Sequence, residues 1–366
     1  MQILSLTKNF RDERPPNGAT CDRFVIAVRG HLDPLGVTTF TLIPKKNLRP
    51  NLASAPGTPS AENEFLCLTA ENGRFTLFDK ESGRIYRNLA RFTDDTDCGN
   101  GWFHETAYGN SGVILSDGVP TETAVILRGE LQTTLRITTH MRVPSSADYA
   151  EGTRSVETVP LDIVTEATVT KGSREVEFSI TVNNTARDHR LRVEFPTEIP
   201  GDDWFASQAF TTVTRRRGAN PNSDGWREPD PHEKNTSGMI GVRDGVSSLA
   251  FLSGGGLHEG AVYPDGTISV TLLRCFGRSL HSSMPSEGAQ LIGKHRFRFA
   301  LSTEKSLSRL QEAMARVGVI LPMQGADAAG FSLLSLSSDV VTSIVKPTED
   351  GRGIVLKHKN SLPRQS

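Results

Sequence analysis

One hairpin pattern constrains the fold of this chain more than any other feature of its sequence. Apolar and polar side chains alternate over residues 163–169, a Lys-Gly-Ser turn follows at 171–173, and the alternation resumes over 176–182. A period of two is typical of a β-strand with one buried face, and a short glycine-containing segment between two such runs predicts a hairpin. Residues 161–182 are therefore predicted to form two antiparallel strands over a hydrophobic core.

Similar strand-like runs recur along most of the chain. They are short, rich in Val, Ile, Thr and Phe, and separated by turns, in keeping with 33 glycines and 20 prolines. We expect strands at 24–28, 38–42, 75–78, 132–143, 191–195, 209–214, 248–252, 267–273, 297–301 and 340–345. One helix is expected at 306–317, where apolar residues recur at three- and four-residue steps. The sequence thus predicts an all-β protein with at most one or two short helices.

A proline-rich segment divides the predicted strands into two parts. Residues 45–61 show no apolar period, and prolines lie within and beside them, which is typical of a linker. The predicted organisation is a short N-terminal β piece at 1–44, the linker at 45–61 and a large β-domain at 62–366. A second polar, turn-rich stretch at 215–237 is long for a loop in a compact β-domain, and such loops often carry function.

Charge and hydropathy exclude two classes of partner. The chain has 41 Lys and Arg against 42 Asp and Glu, a formal net charge of −1, whereas a surface that binds nucleic acid normally brings a basic excess. Its mean hydropathy is −0.32, and it has no uninterrupted apolar run of the ~18 residues that a membrane helix needs. We expect neither nucleic acid nor a membrane as partner.

Cysteine usage and the N-terminus indicate an intracellular protein. The four cysteines, Cys21, Cys67, Cys98 and Cys275, lie far apart and form no CxxC pair, which favours reduced thiols over a zinc ribbon or a disulfide framework. The first residues do not follow the order of basic region, apolar region and cleavage site that marks a signal peptide. The expected compartment is the cytoplasm.

Metal-binding motifs are scarce. The nine histidines form no HxH or HExxH pair, but the His-Leu-Asp run at 31–33 could present two ligands to one metal. A solvated turn before a strand is the simpler interpretation of that run. His104-Glu105 and the Asp-Pro-His-Glu run at 230–233 are weaker candidates of the same kind.

No pattern singles out catalytic carboxylates. Glycoside hydrolysis by the usual route needs two carboxylates on either side of the scissile bond, and the individual candidates, Asp94, Asp95, Asp97 and Asp265, are each typical of surface or turn residues. The sequence has no GxSxG, P-loop or GxGxxG motif, and the glycine run at 254–256 precedes no predicted helix. We predict no catalytic and no metal-binding residue in this chain.

Several segments, taken in order, match the succession of one enzyme family. They are 63–66 (Asn-Glu-Phe-Leu), 73–83 (from Gly-Arg-Phe to Glu-Ser-Gly), 92–102 (from Phe to Trp), 191–197, 262–274, 287–295 and 343–353. Together they resemble the C-terminal β-region of glycoside hydrolase family 38 α-mannosidases over about residues 30–360. Each segment alone is weak, but the ordered series is specific.

The resemblance implies a fold and a division of labour. The implied fold is a large antiparallel supersandwich similar to galactose-mutarotase-like domains, within an enzyme that hydrolyses α-mannoside glycans. In that family the zinc ligands and the nucleophilic aspartate lie in an N-terminal α/β domain that has no counterpart here. We therefore expect a chain truncated at both ends, inactive in isolation and without a cofactor of its own. The missing catalytic domain is its expected partner and carries the zinc.

Two substrate-binding residues follow from the resemblance. Trp102 corresponds to an aromatic residue that is usually tyrosine in relatives, and Arg274 corresponds to the arginine that closes the strand predicted at 267–273. An indole ring can stack on a pyranose face, and a guanidinium group can donate paired hydrogen bonds to sugar hydroxyls. The alternatives are a packing role for Trp102 and a structural salt bridge for Arg274.

Two other classes of function remain open at this stage. A stand-alone carbohydrate-binding or structural β-module would bind mannosides by itself or form a homo-oligomer, without hydrolase activity. An aldose-epimerase-like enzyme on the same fold would need a pair of histidines and a carboxylate at one pocket, with His104 and either His258 or His281 as candidates.

Overall fold

The computed structural model describes most of the chain. The described residues are 2–11, 20–30, 36–41, 43, 59–102, 104–106, 112–209, 211–223, 225–226, 230–279, 282–315, 331–332 and 340–360.

Strands dominate the described residues, as the all-β prediction requires. They are, in chain order, β1 (Gln2–Arg11), β2 (Thr20–Ala27), β3 (Gly36–Val37), β4 (Ser60–Glu62), β5 (Leu66–Glu71), β6 (Arg74–Asp79), β7 (Ile85–Leu89), β8 (Arg91–Thr96), β9 (Ile114–Leu115), β10 (Thr121–Arg128), β11 (Gln132–Pro144), β12 (Ala147–Asp148), β13 (Thr153–Arg154), β14 (Thr158–Thr170), β15 (Glu175–Asn184), β16 (His189–Phe195), β17 (Asp203–Ser207), β18 (Thr212–Arg216), β19 (Lys234–Asn235), β20 (Met239–Arg243), β21 (Ser248–Ser253), β22 (Glu259–Val262), β23 (Ile268–Arg274), β24 (Arg278–Ser279), β25 (Ser282–Pro285), β26 (Gly293–Ser302), β27 (Phe331–Ser332), β28 (Val340–Pro347) and β29 (Ile354–Asn360).

Helical structure is limited in the described part of the chain. It comprises one α-helix, α1 (Leu307–Ala315), and 3-10 turns at Pro221–Ser223 and Glu287–Gln290. The α-helix confirms the prediction made for 306–317, whose last two residues lie outside the described residues. Neither it nor any other described helix has the length and apolar character that a membrane crossing requires.

The chain divides into two compact units. The larger comprises residues 55–126 and 133–305, and the smaller comprises residues 1–54, 127–132 and 306–366. The smaller unit contains the antiparallel pairs β1–β2, β3–β27 and β28–β29, together with α1. The predicted linker at 45–61 lies largely outside the described residues, so the boundaries proposed from the sequence stay a prediction.

Three sheets of four or more strands build most of the larger unit, beside the two-stranded pairs β12–β13 and β24–β25. The widest follows the order β10-β11-β14-β15-β26-β21-β20-β17-β18, the second follows β19-β22-β23-β16-β8-β9, and the third follows β4-β5-β6-β7. The hairpin predicted at 161–182 lies at the centre of the widest sheet, where Ile163 pairs with Val182 and Val169 with Val176 in antiparallel register.

A cluster of phenylalanines joins the three sheets. Phe178 of the widest sheet lies 5.6 Å from Phe75 of the third and 6.1 Å from Phe195 of the second, measured between ring centroids. Phe299, on the strand beside Phe178, stacks on it at 5.3 Å. Because all four rings are buried or nearly so, they form the shared core of an all-β sandwich.

Two predicted strands were placed incorrectly. The alternation at 38–42 predicted a strand, but the strand there is only the two residues of β3 (Gly36–Val37), and described residues 38–41 form none. The strand predicted at 209–214 lies later, as β18 (Thr212–Arg216). It is fixed there by pairing with β17, in which Phe205 faces Thr214, so long-range pairing overrides the local pattern.

Candidate functional site

Strand β16 places charged residues inside the larger unit. Leu191 and Val193 face the hydrophobic core, and Arg190 and Arg192 alternate with them, which puts the two arginines on the opposite face of the sheet. The arginines are also buried, with 4% and 7% of their surface exposed. Charges this deep are costly unless they are paired.

Four charges pair with one another on that face. Arg190 donates from Nε and Nη2 to the two carboxylate oxygens of Asp95, at 3.2 and 2.9 Å, and Arg192 donates to the same carboxylate at 3.2 Å. Both arginines also contact Glu233, at 3.0 and 3.3 Å. Burial by itself raises the pKa of Asp95 and of Glu233, but the arginines outweigh it and hold both pKa values below their usual range. Both carboxylates therefore stay ionised beside the arginines.

This charge cluster anchors the polar stretch at 215–237. Glu233 belongs to that stretch and reaches the sheet through its ion pairs with Arg190 and Arg192. Asp230, from the same candidate run, pairs instead with Lys234 at 2.5 Å and accepts a hydrogen bond from the backbone N–H of Asn220. Residues 230–233 therefore hold the loop rather than form a ligand set.

The segment that follows β8 is a loop with a fixed backbone. Asp97 is fully buried and accepts hydrogen bonds from the backbone N–H of Gly99, at 3.0 Å, and from Nε of Arg274, at 2.8 Å. Arg274 also donates to the carbonyl of Asn100 at 2.8 Å, and the Asn100 side chain accepts from the N–H of Trp102 at 2.8 Å. The loop at 97–102, named here the rim loop, is thus held from beneath by one ion pair.

The structure brings the two predicted substrate-binding residues to this rim loop. The Trp102 side chain is 75% exposed, so the described residues do not bury it as a packing residue would be buried. Arg274 makes the structural ion pair foreseen as its alternative, with Asp97 as its partner. The Trp102 ring is therefore exposed, and Arg274 holds the backbone of the loop that carries it.

Three further residues border the rim loop and were missed by sequence reasoning. Phe276 lies against it, since a Cβ built on Gly101 would stand 3.7 Å from the end of the Phe276 ring. The guanidinium of Arg274 lies 5.4 Å from the centre of the same ring, and that of Arg278 lies 4.0 Å from the centre of the Tyr149 ring. Aromatic and guanidinium groups alternate along this edge.

His104 closes the base of the rim loop. Its Nε2 lies 2.9 Å from the carbonyl of Thr96, which can only accept, so this nitrogen carries the proton. Burial, with the charge of Arg190, lowers the pKa of His104, and the neutral ring acts as a hydrogen-bond donor. His258 contacts the backbone of Thr236, and His281 lies outside the described residues, so the contacts of His104 give no support to a histidine pair.

A second group of buried charges lies on the core-facing side of the sheet that contains β8 and β16. Asp94 accepts hydrogen bonds from Arg154 and from Nδ1 of His189, the latter at 2.5 Å. The other ring nitrogen of His189 lies 3.0 Å from the side-chain oxygen of Asn184, whose NH2 group donates to two backbone carbonyls. Because both ring nitrogens face acceptors, His189 is an imidazolium.

The remaining sequence candidates have structural contacts or fall outside the described residues. Asp265 accepts hydrogen bonds from the backbone and hydroxyl of Thr267, as a turn residue does. The run at 31–33 lies outside the described residues. The described side chains nowhere bring together three His, Cys, Asp or Glu residues that could hold a metal. Those side chains do not fit a zinc site, and the zinc that the resemblance assigns to a domain outside this chain stays a prediction.

A family model matches the larger unit. Residues 61–278, more than half of the chain, match the glycosyl hydrolases family 38 C-terminal domain. The chain belongs to glycosyl hydrolase family 38. The match covers the rim loop, the buried charge cluster and Arg278, so these features lie inside the family domain.

Relatives of known sequence or structure agree with membership in family 38. A protein of Halalkalibacterium halodurans described as "Putative mannosylglycerate hydrolase" is 27% identical over 341 residues, 85% of this chain and 37% of that protein. An α-mannosidase structure from Enterococcus faecalis V583 matches 98% of this chain and 44% of its own, with 24% identity and a TM-score of 0.78. A family 38 protein from Enterococcus faecalis matches 86% and 39%, with 24% identity and a TM-score of 0.71.

These comparisons establish the fold and the extent of the match. The structural likenesses confirm the predicted fold class, and the more specific likeness to galactose-mutarotase-like domains stays a prediction. The chain spans less than half the length of each of these relatives.

Proposed function

We propose that this chain is the C-terminal β-part of a hydrolase acting on α-mannosides, and that its rim loop forms part of the substrate cleft. The bond-breaking groups and the zinc are assigned to a catalytic domain outside the chain, which is its partner. The observation that carries the proposal is the indole of Trp102, 75% exposed on a loop whose backbone Asp97 and Arg274 fix from below.

The rim loop suits sugar binding on physical grounds. A large aromatic side chain exposed on a soluble protein leaves apolar surface in water, which the apolar face of a pyranose ring can cover. Because the Asp97–Arg274 ion pair holds the loop before substrate arrives, little ordering entropy is lost when sugar binds. The Trp102 surface therefore gains affinity from stacking without the cost of folding a mobile loop.

The names of the relatives support the choice of substrate class. One is described as a "Putative mannosylglycerate hydrolase" and another as an "alpha-mannosidase", and both descriptions name a compound of mannose. We extend that shared chemistry, a mannoside with a variable aglycone, to the enzyme that contains this chain.

Removing the Trp102 ring is expected to weaken substrate binding in the intact hydrolase. Trp102→Ala should raise KM for an aryl α-mannoside by up to about tenfold, because stacking on an aromatic ring is worth about 0.5–1.5 kcal/mol and about 1.4 kcal/mol corresponds to a factor of ten. Trp102→Phe should recover most of the loss, and kcat should change little. Steady-state kinetics on the purified variants measure both constants.

Trp226→Ala is the matched control, since Trp226 is also exposed, at 55%, but lies in the 215–237 stretch. Its KM should stay within about twofold of the wild-type value, because it is not assigned to the cleft. An unchanged KM in Trp102→Ala would contradict the assignment of the rim loop to the substrate cleft. Submillimolar binding of methyl α-mannoside by the chain alone would favour a carbohydrate-binding module instead.

A further inference from the structure

Tyr149 forms a rigid platform beside the rim loop. Its hydroxyl donates to the carboxylate of Asp188 at 2.7 Å and accepts from the backbone N–H of Gly277 at 2.8 Å. A Cβ at position 277 would stand 2.9 Å from that hydroxyl, so only glycine permits this approach. Burial and the bond to Asp188 raise the pKa of Tyr149, and the neutral phenol stays a donor. Two hydrogen bonds thus hold the hydroxyl end of the ring in place.

Arg278 lies on this platform and forms no ion pair with another described residue. Its guanidinium carbon stands 4.0 Å from the centre of the Tyr149 ring, and the residue is exposed. Among the described residues no carboxylate comes within ion-pair distance of it; the nearby Asp188 carboxylate is engaged by Tyr149 and by Gln290, at 2.6 Å. A guanidinium stacked on an aromatic face keeps its N–H edge available for a carboxylate or phosphate.

The Arg278 platform adjoins the rim loop. Gly277 joins Arg278 to Phe276, whose ring lies against Gly101 of the rim loop. The charge of Arg278 also reaches Cys98 of that loop, where it opposes the larger effect of burial that raises the thiol pKa. Arg278 therefore lies at the same edge of the larger unit as the rim loop that carries Trp102.

We propose that Arg278 is a specificity-determining residue that binds an anionic group, a carboxylate or a phosphate, of the mannoside held at Trp102. The inference rests on the proposed function and adds to it the preference for charged over neutral mannosides. A neutral sugar would use the stacking surface alone. An anionic sugar would add a pair of hydrogen bonds from the Arg278 guanidinium to its carboxylate or phosphate. Because Tyr149 already holds that guanidinium in place, little side-chain entropy is lost on binding.

Substrate discrimination by the intact hydrolase tests this role. Three substrates are compared: 4-nitrophenyl α-mannoside, α-mannosylglycerate with a carboxylate on its aglycone, and 4-nitrophenyl α-mannoside 6-phosphate with the charge on the sugar. Arg278→Gln should lower kcat/KM for one of the two anionic substrates by about tenfold or more and leave the neutral one within about twofold. Arg278→Lys should fall between, because it keeps the charge and loses the fork. Whichever anionic substrate responds identifies the source of the charge.

A second arginine variant serves as the control for Arg278→Gln. Arg187→Gln removes another surface arginine, one already paired with Glu287 at 2.8 Å, and should alter none of the three substrates. Equal losses on neutral and anionic substrates, no loss in Arg278→Gln, or a wild-type enzyme without preference for an anionic mannoside would each overturn the role of Arg278. A wild-type hydrolase that cleaves no α-mannoside would instead overturn the proposed function.

Discussion

Replacing Asp94 by alanine is expected to lower the free energy of unfolding by about 3–5 kcal/mol. Asp94 is fully buried between two cations, Arg154 and His189, which are themselves 6% and 0% exposed at the side chain. Without the carboxylate, the Arg154 charge would be buried without this partner, and the buried His189 ring would lose the main group that keeps it protonated. Urea unfolding of the purified chain, followed by circular dichroism, measures the loss.

A matched pair on the surface provides the control. Asp162 binds His140 with an Nδ1–Oδ1 distance of 2.8 Å, but their side chains are 53% and 40% exposed, so Asp162→Ala should cost less than about 1 kcal/mol. Equal effects of the two substitutions would contradict the assignment of a buried, charged Asp94–His189 pair.

The Asp94–His189 pair is expected to make the free energy of unfolding fall as the pH rises into the alkaline range. Burial by itself lowers the pKa of His189, but Asp94 and Cys275 outweigh it and raise the pKa to about 10, against ~6.5 in an unfolded chain. Because the folded pKa is the higher one, the stabilisation is complete below pH ~6.5 and is lost as the pH rises towards about 10. This slope should be weaker in Asp94→Ala. A slope of the same size in that variant would contradict the assignment.

Replacing Asp97 by asparagine is expected to impair binding without removing any group that touches the sugar. The amide can still accept from Gly99, but it cannot neutralise Arg274, whose side chain is only 18% exposed. We expect a loss of about 2 kcal/mol in stability and a rise in KM of about tenfold for aryl α-mannosides, with kcat nearly unchanged. Kinetics of the intact hydrolase and urea unfolding measure the two effects.

Asp117→Asn distinguishes this positioning role from the general loss of an ion pair. Asp117 pairs with Arg74 at 2.9 Å, close to the 2.8 Å of the Asp97–Arg274 pair, but its side chain is 52% exposed. The substitution should therefore change neither KM nor stability by much. If Asp97→Asn destabilised the protein and left KM unchanged, the ion pair would be structural only.

Much of the β-structure follows from local pattern. Along 161–182 one face is buried and the other is not, so apolar and polar residues alternate and the hairpin register can be read from the sequence. Strands buried on both faces lack that signal: β17 (Asp203–Ser207) and β20 (Met239–Arg243) are almost continuously buried and were not predicted. Their assignment needs the partner strands.

Some residues of the candidate site could be identified from the sequence, but the contacts between them could not. Trp102 and Arg274 could be identified because they lie in segments that resemble the family, but the ion pair that joins Arg274 to Asp97 spans 177 positions. The contact between Tyr149 and Gly277 spans 128 positions. No spacing rule encodes such contacts, because the topology of the sandwich alone brings them together.

The most direct test of the account is turnover by the purified chain. If the chain supplies a sugar-binding wall and the bond-breaking groups belong to another domain, it should release no 4-nitrophenol from 4-nitrophenyl α-mannoside above background, with or without added zinc, while the intact hydrolase does. Turnover by the purified chain, abolished by substitution of residues within it, would contradict the account.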